Sequence, residues 1–186
     1  MIAGFAGGLA LVAPKGGAAR PTTDRVKESL FGALGPDRLV EASVLDLYAG
    51  SGALAIEALS RGATRAVLVD RDHAAVTAIR RNLATTHLRA QARVQGSTVA
   101  TFLAGKPPAE QPFDLVFLDP PYGTSSAELS RVLSGLDRSA WLAAGATVVV
   151  ERPSVAGPTP APDAWKATWE RAYGDTLITV LTTSTG

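Results

Sequence analysis

Cysteine is absent from this chain, and histidine and methionine are scarce. The 186 residues include no Cys, two His and one Met. The sequence therefore excludes disulfides, thiolate metal sites and a cysteine nucleophile. Two histidines leave few ligands for a catalytic zinc ion, so we expect no metal site. The lack of cysteine agrees with a reducing compartment.

Long apolar runs and a strong net charge are absent as well. No run reaches the ~18 apolar residues that a membrane span requires, so we expect no membrane association. The 18 basic and 17 acidic residues give a net charge of +1, which neither demands nor excludes a nucleic-acid partner. A chain of this length fits one domain, and we expect a single domain over residues 1–186.

The N-terminal segment, residues 1–13, reads MIAGFAGGLALVA. It could be the apolar part of a signal peptide, but it lacks the basic start of one. Two apolar runs flank a Gly-Gly pair, which is typical of a β-hairpin. We therefore predict a hairpin and loop over residues 1–19 ahead of a catalytic core over residues 20–186. Residues 1–27 contain four bases and one acid, a modest basic patch that suits either a solvated helix start or phosphate contact.

The most informative stretch is residues 113–123, FDLVFLDPPYG. Its apolar run ends at proline, which favours a buried strand over residues 113–118. The two prolines stiffen the segment, so the Asp119 carboxylate and the Pro120 carbonyl can accept hydrogen bonds from one target. Tyr122 adds a flat face for stacking. These groups suit an aromatic ring that bears an exocyclic amine, although the same residue types also form tight exit turns.

A second ligand-binding pattern covers residues 43–52, SVLDLYAGSG. A predicted strand runs into a glycine turn and then into a helix over residues 53–61, and such a unit binds ligands. Gly50 and Gly52 let a ligand approach the backbone, and the amides at the helix start favour an anionic group. Asp70 lies 18 residues after Gly52, close to the ~20-residue spacing at which an acid meets ribose hydroxyls.

The glycine motif alone leaves two candidate cofactors. Residues 50–55, GSGALA, also satisfy the dinucleotide fingerprint G-x-G-x-x-A, as in NAD sites. Asp46, beside the glycine turn, would oppose a pyrophosphate but suits a cationic sulfonium or amino group. The balance favours S-adenosylmethionine.

Strand and helix patterns alternate along the chain. We predict strands over residues 44–48, 66–69, 92–95, 113–118 and 146–151, and helices over residues 53–61, 73–86, 99–103 and 127–136. This alternation predicts an α/β fold with a mostly parallel seven-stranded sheet and helices on both faces. Residues 165–173 and 177–181 predict an antiparallel hairpin at one edge, although the spacing of Trp165 and Trp169 also fits a helix. Sites in such sheets lie at the carboxyl ends of strands, so Asp46, Asp70 and Asp119 should converge on one crevice.

Residues 46–52, DLYAGSG, the acid at Asp70 and residues 119–122, DPPY, together resemble class I S-adenosylmethionine-dependent methyltransferases that act on exocyclic amines. Residues 20–28, RPTTDRVKE, with Phe31, narrow the resemblance to the RsmD family, and residues 173–176, YGDT, extend it over nearly the whole chain. The resemblance implies a Rossmann-like class I methyltransferase fold. It also implies methyl transfer to the N2 amine of a guanine in small-subunit ribosomal RNA.

The resemblance implies a role for each matching residue. Four residues would hold the guanine, namely Asp119, Pro120, Pro121 and Tyr122. The implied cofactor-binding residues are Arg20, Thr22, Asp46, Tyr48, Ala49, Gly50, Gly52, Asp70, Arg71, Ser97 and Asp119. Within this set Asp46 and the glycines would hold the methionine end, Asp70 would hold the ribose, and residues 20–22 would lie over the cofactor near the RNA entrance.

Two features depart from the family pattern. Residues 95–97, QGS, lack the acid that many class I relatives place near the adenine, and Ser97 is the substitute that we expect. Residues 1–13 contain no Lys or Arg, whereas the hairpin of the family is often basic.

The implied partner is ribosomal RNA or an assembly intermediate of the small ribosomal subunit, bound by a cytoplasmic monomer. Two alternatives stay open. The same motif could serve adenine or cytosine amines in DNA or other RNA, and the chain could be a non-catalytic nucleotide-binding or RNA-binding module.

Overall fold

The computed structural model describes residues 3–14, 24–110, 112–138 and 140–184. Within these residues, seven strands form one sheet and five α-helices accompany it. The strands are β1 Ser43–Leu47, β2 Arg65–Asp70, β3 Ala92–Gly96, β4 Phe113–Leu118, β5 Leu142–Pro153, β6 Lys166–Tyr173 and β7 Thr176–Thr182. The helices are α1 Asp24–Leu34, α2 Ala53–Ser60, α3 His73–Thr85, α4 Val99–Ala104 and α5 Ser126–Arg138.

The strands are arranged in the order β3-β2-β1-β4-β5-β7-β6. The first five of these are mutually parallel, whereas β7 runs antiparallel to both β5 and β6. The sheet is therefore mixed, because the last two strands of the chain form a hairpin at one edge. Gly174 lies in the turn of that hairpin with a φ of 61°. The predicted edge hairpin is confirmed, and the alternative helix through Trp165 and Trp169 is wrong.

Apolar side chains cover both faces of the sheet. On one face, α1, α2 and α3 pack through residues such as Phe31, Leu59 and Ile79. On the other face, α4 and α5 pack around Trp141, which is fully buried. All five residues of β1 are buried, because a central parallel strand is covered from both sides. This arrangement confirms the predicted helices on both faces of the sheet. The helices cover the faces and leave the ends of the strands open.

The predicted N-terminal hairpin is wrong for the residues that the structure describes. Residues 3–14 form turns and extended backbone without a strand. Gly7 donates its N–H to the Gly4 carbonyl, and Leu9 donates to the Ala6 carbonyl, so the bonds are local turns rather than a ladder. The rest of the predicted extension, residues 1–2 and 15–19, lies outside the described residues.

Residues 3–14 instead lie against α2 and α3 through hydrogen bonds to buried polar side chains. The Ser60 hydroxyl accepts from the Ala6 N–H at 2.9 Å and donates to the Ala3 carbonyl at 2.8 Å. The Asn82 amide accepts from the Val12 N–H at 2.7 Å and donates to the Val12 carbonyl at 2.9 Å. These side chains satisfy backbone groups that a hairpin partner would otherwise satisfy.

The described residues contain no helix with both the length and the apolar character of a membrane span.

Candidate active site

Four acidic residues gather on one face of the sheet at the carboxyl ends of adjacent strands. They are Asp46 in β1, Asp70 at the end of β2, Asp119 directly after β4 and Glu151 in β5. The residue two positions before each acid belongs to the same apolar layer. Residues two apart in a strand point to the same face, so the four acids share that face. We call this group the acidic crevice.

The glycine turn after β1 has a left-handed backbone that its sequence permits. Tyr48, Gly50 and Gly52 have φ angles of 65°, 56° and 77°. A Cβ atom at Gly52 would lie 2.9 Å from the Leu68 side chain, whereas at Gly50 its nearest neighbour would be the Tyr48 carbonyl oxygen at 4.0 Å. Gly52 is therefore required by packing, and Gly50 leaves open space beside the turn. The positive φ of a non-glycine residue is a strain that often marks functional sites.

Asp70 holds the glycine turn in place. Its two carboxylate oxygens accept from the Gly50 N–H and from the Asp72 N–H, each at 2.9 Å. Ala49 adds a backbone bond from its N–H to the Val69 carbonyl at 3.1 Å. A carboxylate has about four acceptor positions, so Asp70 retains capacity for two more donors. The predicted ribose acceptor thus lies beside the turn that its own hydrogen bonds fix.

Asp46 is almost completely buried, with 2% of its surface exposed. Burial raises the pKa of its carboxyl group from 3.8 to about 7, an effect that the Ala55 N–H opposes and the nearby Asp70 increases. The Ala55 N–H donates to the Asp46 carboxylate at 3.2 Å. A carboxylate in this position favours a proton or a cation close to it.

Asp119 lies between β1 and β5 at the end of β4. The backbone N–H of Asp119 approaches the Leu47 carbonyl at 3.5 Å. Burial raises the pKa of the Asp119 carboxyl group well above its ordinary value, and the negative charges of Glu151 and Asp46 raise it further. The acids of the crevice therefore favour a positive charge next to the DPPY motif, either as a bound proton or as a cationic ligand.

The DPPY motif does contain a turn, but the turn starts after the acid. Thr124 donates its N–H to the Pro121 carbonyl at 2.8 Å, so Asp119 and Pro120 precede the turn. Pro120 is buried and Pro121 is exposed. Tyr122 has 55% of its surface exposed, and its hydroxyl lies 3.4 Å from the Thr176 hydroxyl. The ring is held at its polar end and remains accessible for stacking.

Ser97 directly follows β3, and the predicted role of Ser97 is to contact the adenine. Its backbone N–H donates to the Asp70 carbonyl at 3.1 Å. Its hydroxyl oxygen is buried and, within the described part of the chain, makes no hydrogen bond. Such an orphaned group costs about 1 to 3 kcal/mol, which a polar ligand atom would offset. Ser97, the space at Gly50 and the acidic crevice therefore fit an adenosine derivative that carries a positive charge.

The other predicted residues lie in different settings. Burial and the charge of Glu128 raise the pKa of the Tyr48 phenol, and the positive charge of the exposed Arg71 partly opposes that rise. Arg20 and Thr22 lie outside the described residues. Lys27, part of the predicted basic patch, is 7% exposed and lies 2.8 Å from Asp24. This ion pair makes Lys27 a poor phosphate contact.

Sequence reasoning missed Glu151. The signal was present, because Glu151 ends a predicted strand just as Asp70 and Asp119 do. The neighbouring pair Leu118 and Val150 sets the register that brings Glu151 beside Asp119. That register depends on strand order, which the local pattern does not contain.

Comparisons with known proteins agree with this fold and identify a family. A model of the family described as Conserved hypothetical protein 95 matches residues 1–182. Ribosomal RNA small subunit methyltransferase D of Escherichia coli K12 is 40% identical over 168 residues, covering 90% of this chain and 81% of the relative. The protein of the same name from Haemophilus influenzae is 38% identical, with coverage of 83% and 78%. The solved structure of yhhF from Escherichia coli, assigned as a methyltransferase, has 36% identity and a TM-score of 0.87, covering 100% of this chain and 97% of that chain.

The family model matches nearly the whole chain, and the chain covers most of the length of its curated relatives. The chain belongs to the RsmD family of class I methyltransferases.

Proposed function

We propose that this protein transfers a methyl group from S-adenosylmethionine to the exocyclic N2 amine of a guanine in small-subunit ribosomal RNA. The observation that carries this proposal is the position of Asp119 at the end of β4, on the same face of the sheet as Asp46 and as Asp70, which holds the glycine turn. The names of the relatives from Escherichia coli and Haemophilus influenzae support the ribosomal RNA substrate.

The cofactor would lie along the ends of β1, β2 and β3. In this proposal Asp46 and the glycine turn hold the methionine end, Asp70 accepts from the ribose hydroxyls, and Ser97 contacts the adenine. The residues Tyr48, Ala49, Arg71, Arg20 and Thr22 complete the proposed cofactor site. Bound S-adenosylmethionine supplies a methyl group on a sulfonium centre, which makes the methyl group reactive toward an amine. The negative crevice would stabilise that positive charge.

The N2 amine of guanine is a weak nucleophile because its lone pair is delocalised into the ring. The Asp119 carboxylate and the Pro120 carbonyl would accept hydrogen bonds from its two N–H groups and would favour a tetrahedral nitrogen. As the nitrogen takes the methyl group, the bond between that methyl group and the cofactor sulfur would break, and S-adenosylhomocysteine would leave. Positive charge would develop on the nitrogen, where the Asp119 carboxylate would stabilise it, and the nitrogen would then lose one proton to Asp119 or to water. Tyr122 would stack on the displaced base, a contact worth about 1 to 3 kcal/mol. Stacking would offset much of the few kcal/mol needed to unstack the base.

The direct experiment uses the protein with methyl-labelled S-adenosylmethionine and three acceptors. These are protein-free small-subunit RNA, intact small subunits and double-stranded DNA. We expect label in one of the two ribosomal acceptors and, after nuclease digestion, in N2-methylguanosine. Label in adenine or cytosine amines would overturn the guanine assignment, and label in no acceptor would favour a non-catalytic binding module.

The variant Asp119→Ala tests the role of the carboxylate. We expect it to bind S-adenosylmethionine within a few-fold of wild type by calorimetry but to lose methyl transfer by about 100-fold or more. Asp163→Ala is the matched control, because Asp163 is an exposed residue in the connection before β6. Unchanged turnover in Asp119→Ala would remove Asp119 from the mechanism.

A further inference from the structure

Glu151 lies in the crevice and has no role in the proposed chemistry so far. It pairs with Ile178 of β7, and the neighbouring pair Leu118 and Val150 places it next to Asp119. Val149 and Ile178 are buried in the apolar layer on the crevice face. Glu151 therefore lies on that face, partly buried, with its side chain between the DPPY segment and the antiparallel edge of the sheet.

A second carboxylate beside Asp119 is electrostatically unfavourable by itself. Two carboxylates that share a site repel each other, and burial strengthens the repulsion. The charge of Glu151 acts on the Asp119 carboxyl group in the expected direction. Hydrogen-bond donors that reach both acids would stabilise the pair, because ionised carboxylates are acceptors only.

The base proposed for this site offers two such donors side by side. In guanine, two ring nitrogens flank the amine-bearing carbon. N1 carries a hydrogen and N3 carries a lone pair, so N1–H and the N2 amine both donate along one edge. In adenine and cytosine, the ring nitrogen beside the amine has a lone pair and accepts. The N1–H beside the reacting amine therefore distinguishes guanine from the other two amine-bearing bases, which have no donor at a ring nitrogen there.

We propose that Glu151 accepts the N1–H of the target guanine while Asp119 accepts from its N2 amine, so that Glu151 determines the choice of base. This inference rests on the proposed function. With adenine or cytosine, the Glu151 carboxylate would face a lone pair and would lose its donor. Sites built to bind a substrate N–H reject an analogue without it strongly, because the hydrogen bond from the substrate to the site is lost.

The test compares guanosine with 2-aminopurine at the methylated position. The analogue keeps the 2-amine but has no hydrogen on N1. An RNA that wild type methylates is rebuilt by ligation with either nucleotide at the mapped site, and kcat/KM is measured for both. We expect wild type to prefer guanosine by about 100-fold or more. In Glu151→Gln the amide can donate to N1 of the analogue, and we expect the preference to fall at least about tenfold.

Two further variants make the outcome specific. Glu151→Ala should lose rate on guanosine and should gain less on 2-aminopurine than Glu151→Gln does, because alanine removes the repulsive carboxylate but supplies no donor. Glu41→Gln is the matched control, since Glu41 is exposed and precedes β1 at the opposite end of the sheet. It should keep the wild-type preference.

The possible results separate this inference from the proposed function. If wild type methylates the guanosine RNA and Glu151→Gln keeps the full preference for guanosine, the inference is overturned and the proposed function stands. The same holds if Glu151→Gln slows both substrates equally, which would mean that Glu151 only tunes Asp119. If wild type fails to methylate guanosine in any RNA, both fail.

Discussion

Replacing Asp46 with asparagine should stabilise the protein at neutral and alkaline pH while weakening cofactor binding. Asparagine has the same shape and can still accept from the Ala55 N–H, which donates to Asp46 at 3.2 Å. Asparagine carries no charge, so the variant avoids the cost of burying an ionised carboxylate. That cost is what raises the pKa of Asp46 to about 7. The change isolates the electrostatic contribution of one buried acid.

The magnitude follows from proton binding. The folded protein binds a proton at Asp46 up to about pH 7, whereas the unfolded chain releases it near 3.8. Stability therefore falls as pH rises through this window and levels off above it. At 1.36 kcal/mol per pKa unit, the upper bound is about 4 kcal/mol. We expect Asp46→Asn to match wild type near pH 4 and to exceed its unfolding free energy at pH 8 by about 2 to 4 kcal/mol.

Urea unfolding at several pH values between 4 and 8 measures this difference directly. The charge of Asp46 also raises the pKa of Asp119, so the variant should lower the pKa of the Asp119 carboxyl group. Calorimetry at pH 8 should show weaker binding of S-adenosylmethionine to the variant than to wild type. Asp163→Asn, at an exposed loop position, controls for the loss of one negative charge. A stability difference that is constant across the pH range would refute the reasoning.

Two further perturbations test the surroundings of the crevice. Asn82→Ala removes three partly buried hydrogen bonds of the buried Asn82 side chain, two to Val12 and one to the Ser51 carbonyl at 2.9 Å. We expect it to lower the unfolding free energy by about 2 to 4 kcal/mol, and no change in the urea midpoint would contradict the anchoring of residues 3–14. Asp70→Ala should weaken S-adenosylmethionine binding at least about tenfold by calorimetry, and an identical dissociation constant would exclude the proposed ribose contact.

Local patterns in the sequence predicted most of the core. The strand predicted over residues 113–118 is observed with the same bounds as β4, Phe113–Leu118. The helix after the glycine turn, predicted over residues 53–61, is Ala53–Ser60. These elements are predictable because their signals are local, namely apolar runs that stop at proline or glycine.

The N-terminal segment was mispredicted because its partners are distant in sequence. A Gly-Gly pair between apolar runs favours a hairpin when only the segment is considered. The hydrogen bonds from Ala6 to Ser60 and from Val12 to Asn82 span 54 and 70 residues. Gly4 shows the tertiary constraint, since a Cβ there would lie 1.8 Å from the Ser60 carbonyl oxygen. The glycine is therefore explained by close approach to α2 rather than by hairpin geometry.

The acids of the crevice separate into two kinds by the groups that surround them. Asp70 accepts from two backbone amides, so its charge is already used to hold the glycine turn. Asp46 and Asp119 instead have raised pKa values, which burial and mutual repulsion explain. Charges arranged in this way destabilise the ligand-free fold and are stabilised by a cation. In the proposed reaction, the bound sulfonium supplies that cation first, and the charge that develops on the amine supplies it next. The same repulsion would then account for the pH-dependent stability and for the preference for a positively charged cofactor.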